Sequence, residues 1–222
     1  MLTDQVYAVL HEAIVNGDLP AGSRLRIREI AAQVGTSVMP VREAIRRLEE
    51  AGLAEREPHK GAVVKGLTLE ELVHVYDVRR LLEAEAAELG TERITADDCE
   101  RMRAEHDLLV TAIDERRVGA FLDHDEAMLT ILYTASGNPV LVNMIKTLWQ
   151  HCRAYKIVGA QAPLAVRGRE LLLRYQRDLV AAARQRDPAA ARAVSNASLD
   201  DATARIRALL AVQNGEEISR SA

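Results

Sequence analysis

The stretch IREIAAQVGTSVMPVREAIRR, residues 27–47, decides the reading of this chain, because its apolar and small residues fall at the spacing of two short helices packed across a tight corner. Ile30, Ala31 and Val34 form one apolar face, and Val41, Ala44, Ile45 and Leu48 form the facing stripe of the second helix. Ala31 sits where the helices cross and a larger side chain would force them apart. Gly35 can take the positive φ that a sharp corner needs. Ser37 is the expected N-cap of the second helix, and Pro40 falls in its first turn, where its missing N–H costs little. Ser37, Val38 and Met39 then point outward with Arg42 and Arg46 behind them, as on a recognition helix entering a major groove. A plain helical hairpin with solvated arginines would share this pattern, so the flanking sequence matters.

After Gly52, the segments Leu53–Glu57 and Ala62–Lys65 read as two short strands around Pro58, His59, Lys60 and Gly61. That hairpin is a wing. Lys60 supplies charge at its tip and Gly61 permits close backbone approach to phosphate or the minor groove. The chain has 222 residues, 48% of them hydrophobic, which is enough for two modest cores, and a net charge of −4. Positive charge is therefore local: from Arg24 to Arg47 six arginines stand against two glutamates.

Cys99 and Cys152 have no metal or redox spacing and read as reduced thiols of a soluble, cytoplasmic protein, with no targeting or membrane-spanning run. No G-x-x-x-x-G-K, G-x-S-x-G or H-E-x-x-H is present, and no nucleophile and base share a helical face, so no catalytic residues are assigned and no enzyme is expected. Thr68 and Glu71 make a capping box that opens a second domain. Helices are expected at Thr68–Leu89, Thr95–Arg117, Ala120–Ala135, Asn138–Val158, Leu164–Arg186 and Asp187–Val212, with Asn138 and Asp187 as caps before Pro139 and Pro188. The fold class is mainly α. A winged helix-turn-helix at 1–66 precedes an all-α six-helix bundle at 67–213 and a polar tail at 214–222.

Four of these helices carry one polar residue each within an apolar stripe: Arg79 between Val75 and Leu82, Asp125 between Leu122 and Leu129, Gln176 before Leu179, and Ser198 between Val194 and Ala202. Buried polar groups must be satisfied, so these residues either pair, as in an Arg79–Asp125 ion pair, or line a ligand pocket. His106 and His151 also lie where they can face inward.

The chain resembles the GntR family of transcription regulators, in the FadR-type branch with an all-helical effector (FCD) domain and, by helix count, the VanR-like subgroup. The resemblance rests on VYAVLHEAIVNGDLPAGSRL, on IREIAAQVGTSVMPVREAIRRLEEAGL with KGAVV, on YDVRRLLEAEAAEL, and on the segment from Asp125 to Pro139 ending ASGNP. It implies a homodimeric regulator, more often a repressor, that binds double-stranded operator DNA at an inverted repeat. The implied DNA contacts fall on Arg28, Ser37, Arg42 and Gly61 with Lys60 beside it; Arg46 is added from helical spacing. Where relatives often carry arginine this chain has Val38, followed by Met39, which suits thymine methyl contacts.

The resemblance also implies metal positions at Asp125, Leu129, Gln176 and Ser198, where many relatives have one aspartate and three histidines. Leucine cannot coordinate, and one carboxylate with an amide and a hydroxyl is a poor site for zinc or nickel. A metal-free pocket with no cofactor follows, lined by Arg79, Asp125, Leu129, Gln176 and Ser198, and the pocket becomes the favoured reading of the inward polar residues. Arg79 is the natural anion anchor for a small carboxylate. The alternatives are a rearranged metal site using Asp125 with His106, His124 or His151, and a helical adaptor or enzyme that does not bind DNA.

Overall fold

The computed structural model describes residues 2–15, 18–165 and 169–221. The chain divides into two compact units, Met1–Leu67 and Thr68–Ala222.

The first unit contains α1 (Leu2–Val15), α2 (Ile27–Gln33), α3 (Val38–Glu50), β1 (Ala54–Glu57) and β2 (Gly61–Val64). α1, to which the stripe analysis gave no role, presents Val6, Leu10 and Ile14 at four-residue intervals to the core. They meet Ala31 of α2 and Val41, Ala44, Ile45 and Leu48 of α3, the face the periodicity predicts. The corner after α2 closes as a Schellman turn. Gly35 has φ +66°, Thr36 N–H donates to Ala31 O at 2.9 Å, and Gly35 N–H donates to Ala32 O at 3.4 Å. α3 ends by the same device at Gly52, with Leu53 N–H on Leu48 O at 2.9 Å, and this aims the chain into the wing.

The wing strands pair antiparallel in the register Ala54↔Val64 to Glu57↔Gly61. Lys60 N–H donates to Glu57 O at 3.2 Å across a turn with Pro58 at its second position and positive φ at His59. The other edge of β2 is also covered. Arg24 bridges Val63, and Leu25 N–H donates to Ala62 O at 2.8 Å.

The second unit is all helical among the described residues: α4 (Leu69–Arg93), α5 (Ala96–Asp114), α6 (Val118–Ala135), α7 (Pro139–Ala165), α8 (Arg169–Gln185) and α9 (Pro188–Ser221). The Thr68–Glu71 capping box forms as expected, and a second one forms between Thr95 and Asp98. Asn138 and Asp187 cap α7 and α9 by accepting from Leu141 N–H at 3.1 Å and Ala190 N–H at 2.9 Å. Two expected boundaries shift. α7 runs to Ala165, past its expected end at Val158, and α8 starts at Arg169 where Leu164 was expected; residues 166–168 lie outside the described residues. α9 remains helical to Ser221, where the polar composition from residue 214 had suggested a tail.

α4 and α9 run antiparallel, and ion pairs mark their register: Asp77 with Arg207 at 3.5 Å, Arg80 with Asp200 at 3.4 Å, and Glu85 with Arg192 at 2.9 Å. These pairs are largely exposed and contribute little each. The core between the helices is Ala86, Ala87, Met128, Leu132, Tyr133, Ile145, Trp149, Leu179, Ala183 and Ala191. α4 meets α6 backbone to backbone at Gly90, where a Cβ would lie 2.1 Å from the Leu132 carbonyl oxygen.

Gly90→Ala tests this contact with a clear sign. In an open helix the change stabilises by roughly 1 kcal/mol through propensity alone. Here the two helices must separate, and urea denaturation should show a loss of about 2 kcal/mol or more. A stabilised variant would mean that the helices do not approach this closely.

Candidate DNA-reading face and buried polar cluster

The recognition helix begins where its cap residue suggested, but the cap chemistry differs. Ser37 has extended backbone at φ −78° and ψ 167°, and its side chain makes no capping bond. Its exposed hydroxyl is therefore available to a phosphate or base. Val38 and Met39 are exposed at 39% and 65%, so two apolar side chains lead the helix outward.

The arginines behind them divide by partner. Arg46 lies between Glu43, which accepts from its Nε at 3.0 Å, and Glu50 one turn on. Arg47 turns back to α1, 2.9 Å from Asp4 and stacked over the Tyr7 ring at 4.4 Å. Arg42 is exposed and, among the described residues, has no ion-pair partner. Arg28 is likewise exposed and unpaired, whereas Lys60 at the wing tip pairs with Glu57. Arg42 and Arg28 can meet DNA directly. Arg46 and Lys60 must first leave a carboxylate.

In the helical unit Arg79 and Asp125 are both buried, at 4% and 7% exposure, but they do not pair with each other. Arg79 donates from Nε to Glu83 at 2.7 Å, one turn along the same helix. It also points Nη1 at Cys152 Sγ at 3.5 Å and lies over the Tyr76 ring at 4.5 Å. Burial, the largest single influence, lowers the Arg79 pKa, but Glu83, Cys152 and Tyr76 together outweigh it and hold the guanidinium well above its ordinary value. Glu83, exposed by only 2%, also accepts from Trp149 Nε1 at 2.9 Å and from the Tyr133 hydroxyl at 3.3 Å. The stripe analysis missed Glu83. Its position four residues after Arg79 was the available signal, since that spacing places opposite charges on one helix face.

Asp125 is held from α7 and α8. Gln176 Nε2 donates to it at 3.0 Å, and Lys156 Nζ lies 3.6 Å away. Burial raises its carboxyl pKa, with Lys156 and Gln176 working in the opposite direction. Lys156 is also 3.3 Å from Glu126 and 5.7 Å from the centre of the Trp149 ring. Gln176 Oε1 is buried and has no hydrogen-bond partner among the described residues. Leu129 is partly buried and packs against the main core. Ser198 is only half-buried; the inward serine is Ser195, one turn earlier, at 5% exposure. α9 buries the stripe Ala191, Ser195, Leu199, Thr203 and Ile206, displaced from the expected one. Small residues occupy both adjacent faces of this helix, so periodicity alone did not choose between them.

These donors do not suit a divalent metal. Around Asp125 stand an amide, an aliphatic side chain and an ammonium, and a second cation there would repel Lys156. Among the described residues no group of three or more His, Cys, Asp and Glu side chains is placed to hold an ion. Of the histidines of the rearranged alternative only His124 has a hydrogen-bonded ring nitrogen among the described residues, and the buried Nε2 of His106 has no partner there. His124 Nδ1 is 2.8 Å from Glu105, His106 Nδ1 is 4.0 Å from Asp107, and His151 is half-buried on α7.

Comparison with known proteins agrees with both units. Residues 2–64 match the model of the bacterial regulatory proteins of the gntR family, and residues 74–201 match the FCD domain. A probable D-xylose utilization operon transcriptional repressor of Paenarthrobacter nicotinovorans is 42% identical over 89 residues, 40% of this chain and 39% of that relative. The HTH-type transcriptional regulator McbR of Escherichia coli is 28% identical over 148 residues, 67% of each chain. The solved structure of E. coli McbR superposes with a TM-score of 0.76 at 23% identity, covering 95% of this chain and 99% of that one, and so shares the fold. A gntR-type unit followed by an FCD unit is the arrangement these matches give, and the chain belongs to the GntR family of transcriptional regulators, in its FadR-type, FCD-containing branch.

Proposed function

We propose that this regulator binds an inverted-repeat operator as a homodimer, acts as a repressor, and changes its operator occupancy when a small organic acid enters the helical unit without a metal. The observation that carries the DNA-binding part is the outward edge of α3. Ser37, Val38, Met39 and the unpaired Arg42 project together from a helix whose opposite face is buried, and the wing follows directly. Repression is favoured by the relative named as a repressor. Dimerisation is favoured by large apolar side chains left exposed on the helical unit, Val78 and Leu81 on α4 and Val140 and Met144 on α7, together with the symmetry of an inverted repeat.

The effector site is the polar cluster of Arg79, Asp125 and Gln176, with Leu129 and Ser198 kept from the expected lining and Glu83 and Lys156 included as the partners of Arg79 and Asp125. Its groups are charged, desolvated and drawn from four helices, which suits recognition of a small polar anion more than a catalytic step. An effector acts only through different affinity for two states of the protein, so it must alter contacts within this cluster. The protein is a non-catalytic regulator in this reading, and no helix among the described residues is long and apolar enough to cross a membrane.

Arg42→Ala should weaken binding to the protein's own upstream DNA by about tenfold or more, the order of one lost base or phosphate contact, while far-UV circular dichroism stays unchanged. The dependence of affinity on salt should become shallower. Equal affinity of variant and wild type in a gel shift at physiological salt would remove α3 from the reading role. Elemental analysis after dialysis should find no stoichiometric metal. Zinc or nickel retained at one per chain would overturn the metal-free site.

A further inference from the structure

The two buried cations of the helical unit are held very differently. Arg79 is tied to Glu83 through Nε at 2.7 Å, with Nη1 toward Cys152 and its plane on Tyr76. Withdrawing it would leave the Glu83 carboxylate buried with only the neutral donors Trp149 and Tyr133, a costly state for a carboxylate at 2% exposure.

Lys156 has no such tie. An ammonium carries three N–H donors, yet the contacts here are 3.3 Å to Glu126 and 3.6 Å to Asp125, both longer than the roughly 2.7–2.9 Å of a tight charged hydrogen bond. Each carboxylate has a second partner. Asp125 keeps Gln176 at 3.0 Å, and Glu126 keeps Arg153 at 3.1 Å. The ammonium has a third donor beyond these two contacts, so Lys156 can meet a further anion while Glu126 keeps Arg153 and Asp125 keeps Gln176. Its side chain is only 11% exposed, so an anion that reaches it is met in a medium that screens poorly. On the same carboxylate stands Gln176, whose buried Oε1 lacks a donor among the described residues. A hydroxyl or ammonium would satisfy it.

Resting on the reading of this cluster as an acid sensor, we propose that Lys156, and not Arg79, binds the effector's carboxylate, while Gln176 Oε1 accepts from a hydroxyl or ammonium of the same molecule. The site then selects acids that carry a donor near the carboxylate, and Arg79 serves to hold Glu83. Lys156 lies on α7 and Asp125 and Glu126 on α6, so an effector that shares the ammonium weakens the tie between those helices. That is the differential contact a switch requires.

Trp149 is the chain's single tryptophan and faces Lys156, so its emission reports on the site. The full-length protein is titrated with glycolate, malate and gluconate, with acetate and neutral glycolamide as controls, and followed by Trp149 fluorescence and thermal shift. At least one hydroxy acid should shift the emission and raise Tm, acetate should bind more weakly, and glycolamide should do neither. Lys156→Met should weaken that acid by about tenfold or more, as expected for loss of a charged hydrogen bond. Lys156→Arg should retain most of the affinity, and Gln176→Leu should narrow the gap between glycolate and acetate. If Lys156→Met loses its helical circular dichroism, Lys156→Gln replaces it, keeping a donor without the charge. An acid that binds the Lys156 variant as tightly as wild type would overturn the role of Lys156 and leave the acid-sensor reading standing. If no acid moves the wild-type signals, the acid-sensor reading fails and this proposal fails with it.

Discussion

The helical unit is organised around one buried carboxylate. Glu83 of α4 takes Arg79 of its own helix, Tyr133 of α6 and Trp149 of α7, so three helices converge on a charge that none of them could bury alone. A lone carboxylate in this position would be strongly disfavoured, and a lone Arg79 equally so. Their mutual satisfaction lets a polar centre exist inside an otherwise apolar core. The second polar group, Asp125 with Lys156 and Gln176, adjoins the first through Trp149, which donates to Glu83 and turns its ring toward Lys156. One arrangement is tight and the other loose. That difference separates a structural ion pair from a group able to respond.

In the DNA-reading unit the governing constraint is the geometry of two corners. Gly35 and Gly52, both at positive φ, end α2 and α3 with the same turn and set the directions of the recognition helix and of the wing. Between them α3 buries Val41, Ala44, Ile45 and Leu48, which leaves its first turn and Arg42 outside. Arg47 on the same helix is used inward, against Asp4 and Tyr7 of α1. The positive charge apparent in the sequence is thus divided between holding the helix in place and facing outward.

Much of this was legible beforehand because it is local. The corner at Gly35, the capping box at Thr68, the proline-led starts of α7 and α9 and the wing depend on residues within a few positions of one another. Burial of Arg79 and Asp125 was also legible, since each interrupts an apolar stripe. Ser198 was misplaced in favour of Ser195 because α9 carries small residues on two neighbouring faces. Glu83 and Lys156 were missed because a charged residue in an amphipathic helix is read as solvated unless something shows it enclosed.

The sequence by itself determined the helix-turn-helix, the wing, the helical second unit and the absence of the histidines a metal would need, all set by residue type, spacing and capping. Only the tertiary structure decided which charges meet. Arg79 pairs with Glu83 and Asp125 with Lys156 and Gln176, because partners for a buried charge come from whichever helices pack against it, and packing brings together positions far apart in the chain.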